Sequence, residues 1–81
     1  MAGTMLMPKL NEAGDPAVVS AWMVKVGDRI TLDMPVIAME TEKVTVEVAA
    51  TLSGTITRLL VQDGELVKVG QPILEVERDD D

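Results

Sequence analysis

Lys43 closes the run Glu40, Thr41, Glu42, Lys43, and the alternating Val44, Thr45, Val46, Glu47, Val48 follows it directly. A solvated amine held at a rigid corner is a substrate for covalent modification by a second enzyme, because a modifying enzyme can meet it in one orientation. The elements that must hold it are legible on both sides. Pro35, Val36, Ile37, Ala38 and Met39 form an apolar run of strand length, and the alternation after Lys43 has the period of a half-buried strand. Lys43 is therefore expected at the tip of a hairpin whose corner contains neither glycine nor proline. On these residues alone the alternative stays open that it is an ordinary charge on a polar turn, as most exposed lysines are.

The rest of the chain offers little other chemistry. It has no cysteine and no histidine, so a disulfide framework, a zinc cluster and the usual general base near neutral pH are all missing. Ser20 and Ser53 are isolated, and autonomous nucleophilic catalysis is not expected. Asp79 and Asp80 could bind a cation weakly, but an acidic run of this kind reads first as a solvated tail. Net charge is −7, with 14 acidic residues against 7 basic ones, and Lys9, Lys25, Arg29, Lys43, Arg58, Lys68 and Arg78 are scattered along the chain. That distribution argues against a nucleic-acid partner and favours docking onto basic protein surfaces. No apolar run approaches the roughly 20 residues needed to span a bilayer, and Met1, Ala2, Gly3, Thr4 lacks the basic start of a secretory signal. A soluble domain with no membrane partner, inside a cell or organelle, is expected.

Eighty-one residues make one small domain, which must form an efficient core because a chain of this size buries only roughly 60% of its unfolded surface. Trp22 is the single aromatic residue, and the apolar bulk is Val, Leu, Ile, Met and Ala. The chain is also written twice. Trp22 to Ile30 is echoed by Leu59 to Val67, and Pro35 to Glu40 by Pro72 to Glu77, both at a shift of 37 that sets Gly27 on Gly64. Strands are expected over Thr4 to Met7, Ala17 to Met23, Arg29 to Thr31, Val36 to Glu40, Val44 to Val48, Gly54 to Val61, Leu66 to Lys68 and Ile73 to Glu77, with no helix longer than a turn. Two matching sets of four predict an all-β flattened barrel or sandwich of two four-stranded antiparallel sheets related by a pseudo-twofold.

Val24, Ile37, Val46, Ile56 and Leu74, or their strand neighbours, are the expected core. Trp22 is expected to pack half-buried, Gly27 and Gly64 to serve equivalent turns, and Gly54 to permit a bend or bulge where a strand begins. The shift sets Lys43 opposite Asp80, placing the lysine corner at one pole and the chain end at the other. The folded unit is expected to cover residues 1–77. Residues 78–81 read as an acidic tail or the start of a linker, and Met1 reads as a true start.

Met7, Pro8, Lys9 and Leu10, then Trp22, Gly27, Asp28, Pro35, the Glu40 to Val44 corner, Gly54 and Gly70 together resemble a lipoyl domain of the biotinyl/lipoyl carrier family, as found in the dihydrolipoamide acyltransferase component of 2-oxo acid dehydrogenase complexes. The resemblance spans essentially the whole chain, and Gly27 and Gly54 stand 16 residues before and 11 after Lys43 as in that family. Glu42 replaces the usual Asp, Val44 the frequent Ala, and Asn11, Glu12, Ala13, Gly14, Asp15, Pro16 departs from the usual loop. The resemblance implies lipoic acid in amide linkage to Lys43, with Glu40, Thr41, Glu42 and Val44 forming the recognised corner. It implies an arm that is reductively acylated, delivers the acyl group and is reoxidised, with tethering raising its concentration at each site. The implied partners are a lipoate-protein ligase or lipoyl transferase, a thiamine-diphosphate dehydrogenase component, an acyltransferase core and dihydrolipoamide dehydrogenase. It implies a monomeric domain in the bacterial cytoplasm or mitochondrial matrix. A biotin carrier usually has methionines on both sides of its lysine, where this chain has Glu42 and Val44. An unmodified structural domain of the same fold is the other alternative.

Overall fold

All eight expected strands form in the computed structural model, which describes residues 1–78. They are β1 (Ala2–Leu6), β2 (Ala17–Trp22), β3 (Arg29–Ile30), β4 (Pro35–Glu40), β5 (Thr45–Ala49), β6 (Gly54–Leu59), β7 (Leu66–Val67) and β8 (Pro72–Glu77), and no helix occurs among the described residues. The sequence placed Val44 in a strand; instead it stays in the corner, because its own N–H and C=O are both engaged by Thr41 across the loop. Pro35 and Pro72 open β4 and β8, where a missing ladder donor costs least.

Two antiparallel sheets result, ordered β1-β8-β6-β3 and β5-β4-β2-β7. Exchanging β1 with β5, β8 with β4, β6 with β2 and β3 with β7 turns one order into the other. The exchange holds bond by bond. Gly27 N–H donates to the Ile56 carbonyl and Gly64 N–H to that of Val19, both at 2.8 Å, and Asp33 N–H to that of Ala50 at 3.0 Å as Gly70 N–H does to that of Met7 at 2.8 Å. Gly27 and Gly64 have φ of 98° and 87°, a left-handed turn conformation that a side chain would strain.

Burial repeats as well, with β2 and β6 sharing one pattern of buried and exposed positions and β4 and β8 another. The shift of 37 relates three of the four strand pairs. The fourth, β1 with β5, is offset by 43, because ten residues join β1 to β2 and only four join β5 to β6. The six extra residues all fall at the lysine end.

The core lies between the sheets and contains Ile37, Ile56 and Leu74, each at most 1% exposed, with Val24 at 8%. Val46 is half-buried and Val48, two residues along on the same face, takes the deeper place: Val46 lies on the core face, but at the rim beside the corner. Trp22 is half-buried, and its Nε1–H donates to the Val61 carbonyl at 2.8 Å. The irregularity in β6 falls between Ile56 and Arg58 rather than at Gly54. Gly54 instead admits the backbone of Glu77, whose carbonyl oxygen would lie 2.4 Å from an added Cβ. Asp79 and Asp80 lie outside the described residues, as does most of the proposed 78–81 tail.

Candidate functional site: the β4–β5 corner

β4 and β5 run antiparallel and, from the pair Ile37 and Val48 onward, in register up to Glu40 and Thr45, so Thr41, Glu42, Lys43 and Val44 make the whole connection. Two strands that bury Val36, Ile37, Met39 and Val48 in the core thus deliver four mostly polar residues to the end of a sheet. Thr41 N–H donates to the Val44 carbonyl at 2.8 Å. The Thr41 hydroxyl donates to the same carbonyl at 3.0 Å, and its oxygen accepts from Val44 N–H at 3.2 Å. Glu42 and Lys43 are held out between these fixed ends.

Lys43 and Glu42 are exposed, Glu40 points outward at the end of its strand, and Val44 is 58% exposed. Among the described residues no hydrogen bond or ion pair restrains the Lys43 amine. The neighbouring like-signed groups of Glu40 and Glu42 are therefore a local field rather than partners in contact.

A groove of about 440 Å³ runs beside the corner, lined by Thr41, Glu42, Lys43, Val44 and Val46 on one side and by Leu10, Asn11 and Asp15 on the other. The second wall is the long β1–β2 connection. Asn11 organises it: its side-chain oxygen accepts from Gly14 N–H at 2.9 Å and Asp15 N–H at 3.1 Å, and its amide donates to the Asp15 carboxylate at 3.2 Å. Such an Asx arrangement replaces backbone pairing that a loop of this length otherwise lacks.

The structure thus brings Glu40, Thr41, Glu42, Lys43 and Val44 to one corner and adds Leu10, Asn11, Asp15 and Val46; the residues themselves assigned none of these four to the site, although the family resemblance implies that the Asn11 to Pro16 loop lies near the lysine. A signal for them existed. The six-residue excess that breaks the internal repeat marks where the chain departs from its own symmetry, and that departure overhangs Lys43. No group of three or more Asp or Glu side chains suited to a metal ion occurs among the described residues.

Two sheets in this order with a lysine at a hairpin tip define a barrel-sandwich carrier fold. The family model for biotin and lipoyl attachment, described as "Biotin-requiring enzyme", matches residues 3–76, and the chain belongs to that family. It is 36% identical over 73 residues, 90% of its length, to the lipoamide acyltransferase component of the branched-chain alpha-keto acid dehydrogenase complex of Bacillus subtilis. It is likewise 36% identical over 76 residues, 94% of its length, to the dihydrolipoyllysine-residue succinyltransferase component of the 2-oxoglutarate dehydrogenase complex of Rickettsia typhi. The chain spans only 17% and 19% of these two relatives. Among solved structures, the lipoyl domain of the 2-oxoglutarate dehydrogenase complex from Azotobacter vinelandii aligns with a TM-score of 0.68 at 26% identity, covering 94% of this chain and 98% of that one. A single-chain, multi-domain long-chain acyl-CoA carboxylase shares the fold, with a TM-score of 0.76 at 22% identity over 98% of this chain and 7% of that one.

Proposed function

We propose that this domain is a lipoyl carrier and that Lys43 is its attachment residue. One observation carries the proposal: an exposed lysine, unrestrained among the described residues, at the tip of a corner whose two ends are tied together. The corner fits the group chemically. An amide needs a reachable amine, and among the described residues no carboxylate in contact with Lys43 has to be displaced before the amine loses its proton. Lys43 Nζ would hold the lipoyl group through an amide to its activated carboxyl carbon, the activating group leaving and the amine's proton passing to solvent. Glu42 and Val44 flank the lysine, which favours lipoate over biotin. The groove wall of Leu10 and Val46 offers apolar surface beside the attachment point.

Once bound, a lipoyl group supplies a dithiolane that takes up an acyl group and two electrons together. The chain's own part is to hold the attachment point at a tied corner at the end of the sheet, so that the flexible arm would reach successive partners at high effective concentration. Those partners would be a thiamine-diphosphate dehydrogenase, an acyltransferase core and dihydrolipoamide dehydrogenase, in a 2-oxo acid dehydrogenase complex of the kind named for the relatives.

The test is intact mass and peptide mapping after incubation with a lipoate-protein ligase, lipoate and ATP, with a biotin ligase and biotin in parallel. One lipoyl group on the peptide containing Lys43 is expected, with none on Lys43→Arg, whose guanidinium keeps the charge but does not form the amide. Attachment at Lys9, Lys25 or Lys68, biotin in place of lipoate, or no attachment would each overturn the proposal.

A further inference from the structure

The Lys43 corner closes without the means that two-residue hairpin loops normally use. Such loops adopt turns with positive φ at one or both tip residues, hence the usual Asn-Gly or Gly-rich sequences. Here the tip is Glu42 and Lys43, and among the described residues other than glycine only Asp33 has positive φ. In an ordinary hairpin loop Val44 N–H would return to the Thr41 carbonyl. In this one it goes to the Thr41 hydroxyl oxygen at 3.2 Å, while the hydroxyl hydrogen goes to the Val44 carbonyl at 3.0 Å. A side chain has replaced one of the two bonds that close the loop.

The internal symmetry supplies a control. At the opposite pole Arg78 N–H donates to the Met1 carbonyl at 2.7 Å, matching Thr41 N–H to Val44 at 2.8 Å. Arg78 stands in the place of Thr41 and has no hydroxyl. The backbone bond is therefore common to both poles; at the second the Met1 nitrogen pairs with the Glu77 carboxylate, so among the described residues closure through a hydroxyl belongs to the lysine pole alone.

We infer that Thr41 is a positioning residue for the modification of Lys43. Resting on the attachment reading above, the inference is that the Thr41 hydroxyl, acting through the Val44 peptide, sets the direction in which Lys43 leaves the corner. Threonine suits the place because its β-branch belongs at a strand end while its oxygen bonds locally to the backbone. The requirement is for the hydroxyl, not for the bulk. Thr41→Val keeps the branched shape and loses the closure, and Val44 N–H must then find water or a strained path to the Thr41 carbonyl. Thr41→Ser keeps the closure.

The decisive measurement is the steady-state kinetics of lipoate ligase on the parent, Thr41→Val, Thr41→Ala and Thr41→Ser, together with amide hydrogen exchange at Val44. A lost hydrogen bond of ordinary strength predicts a fall of about three- to tenfold in the ligase kcat for Thr41→Val and Thr41→Ala. KM should stay within about twofold, since the wider contact surface is untouched. Val44 exchange should quicken in both variants, and Thr41→Ser should restore both rate and protection. Parent-like kcat in Thr41→Val and Thr41→Ala, or a Thr41→Ser as slow as they are, would overturn the inference while leaving the attachment reading intact. No attachment to the parent protein would overturn that reading and this inference with it.

Discussion

The two poles of the molecule are one backbone arrangement closed in two ways. At the lysine pole Thr41, Ala17 and Val46 occupy the places that Arg78, Gly54 and Gly3 occupy at the other. At the second pole the chain is pressed down. The Arg78 stem lies over Gly3, where an added Cβ would meet its Cδ at 2.6 Å, and the Glu77 carbonyl crosses Gly54. The Met1 ammonium group pairs there with the Glu77 carboxylate. At the lysine pole the same strands carry side chains where the other pole has hydrogen atoms, a hydroxyl ties the corner, and ten residues rather than four form the adjoining loop. One pole packs its chain against the sheet, and the other projects it. Small side chains thus decide which end of a symmetric fold is available for chemistry.

The largest way to break the comparison is to give the second pole the side chain of the first. Gly54→Ala places a Cβ 2.4 Å from a backbone oxygen at a residue with φ of 149°, and neither the oxygen nor the strand can yield cheaply. A loss of about 3 kcal/mol in urea unfolding is expected. The reverse change, Ala17→Gly, should cost about 1 kcal/mol, from added chain entropy and a lost buried methyl group. Equal costs would mean that the two poles are packed alike.

A smaller test concerns the equivalent turns at Asp33 and Gly70, with φ of 71° and 87°. Asp33 holds a left-handed conformation that its counterpart leaves to glycine. Gly70→Asp should lower stability by about 1 kcal/mol, whereas Asp33→Gly should raise it by about 0.5 kcal/mol or less, because relief of strain is partly offset by glycine's freedom in the unfolded chain. Thermal melting of both variants measures this, and a stabilising Gly70→Asp would contradict it.

The smallest expected effect is at the proposed attachment residue. Lys43→Ala should shift unfolding by no more than about 0.5 kcal/mol, as for an exposed side chain with no partner among the described residues. A loss comparable to that of Gly54→Ala would make the lysine structural and remove the distinction between the poles.

Much of this was legible in the residues. Alternation, proline-led strands and the 37-residue echo located all eight strands and the existence of two equivalent sheets, because the period of two and the turn residues are local properties; the strand order was not legible, since each sheet takes two strands from each half of the chain. Lys43 was legible as a corner lysine for the same reason, lying between two strands of opposite direction with only a short polar link to turn in. The closing action of the Thr41 hydroxyl was not. Nothing in Glu40, Thr41, Glu42, Lys43 distinguishes a threonine that bonds across the loop from one that faces water; that depends on how the Glu40 and Thr45 register brings Val44 within reach.

The groove wall was hidden more deeply. Leu10, Asn11 and Asp15 stand about thirty residues before Lys43 in the chain, and no periodicity links them to it. By itself the sequence determined the strands, the repeat and the residue type at the tip, and only the family resemblance, not any local pattern, implied that the Asn11 to Pro16 loop lies near it. The tertiary structure decided which of that loop's residues wall the groove beside the tip, and that Gly54 serves the approach of Glu77 rather than a bulge. Each depends on two distant segments meeting, which a local pattern does not encode.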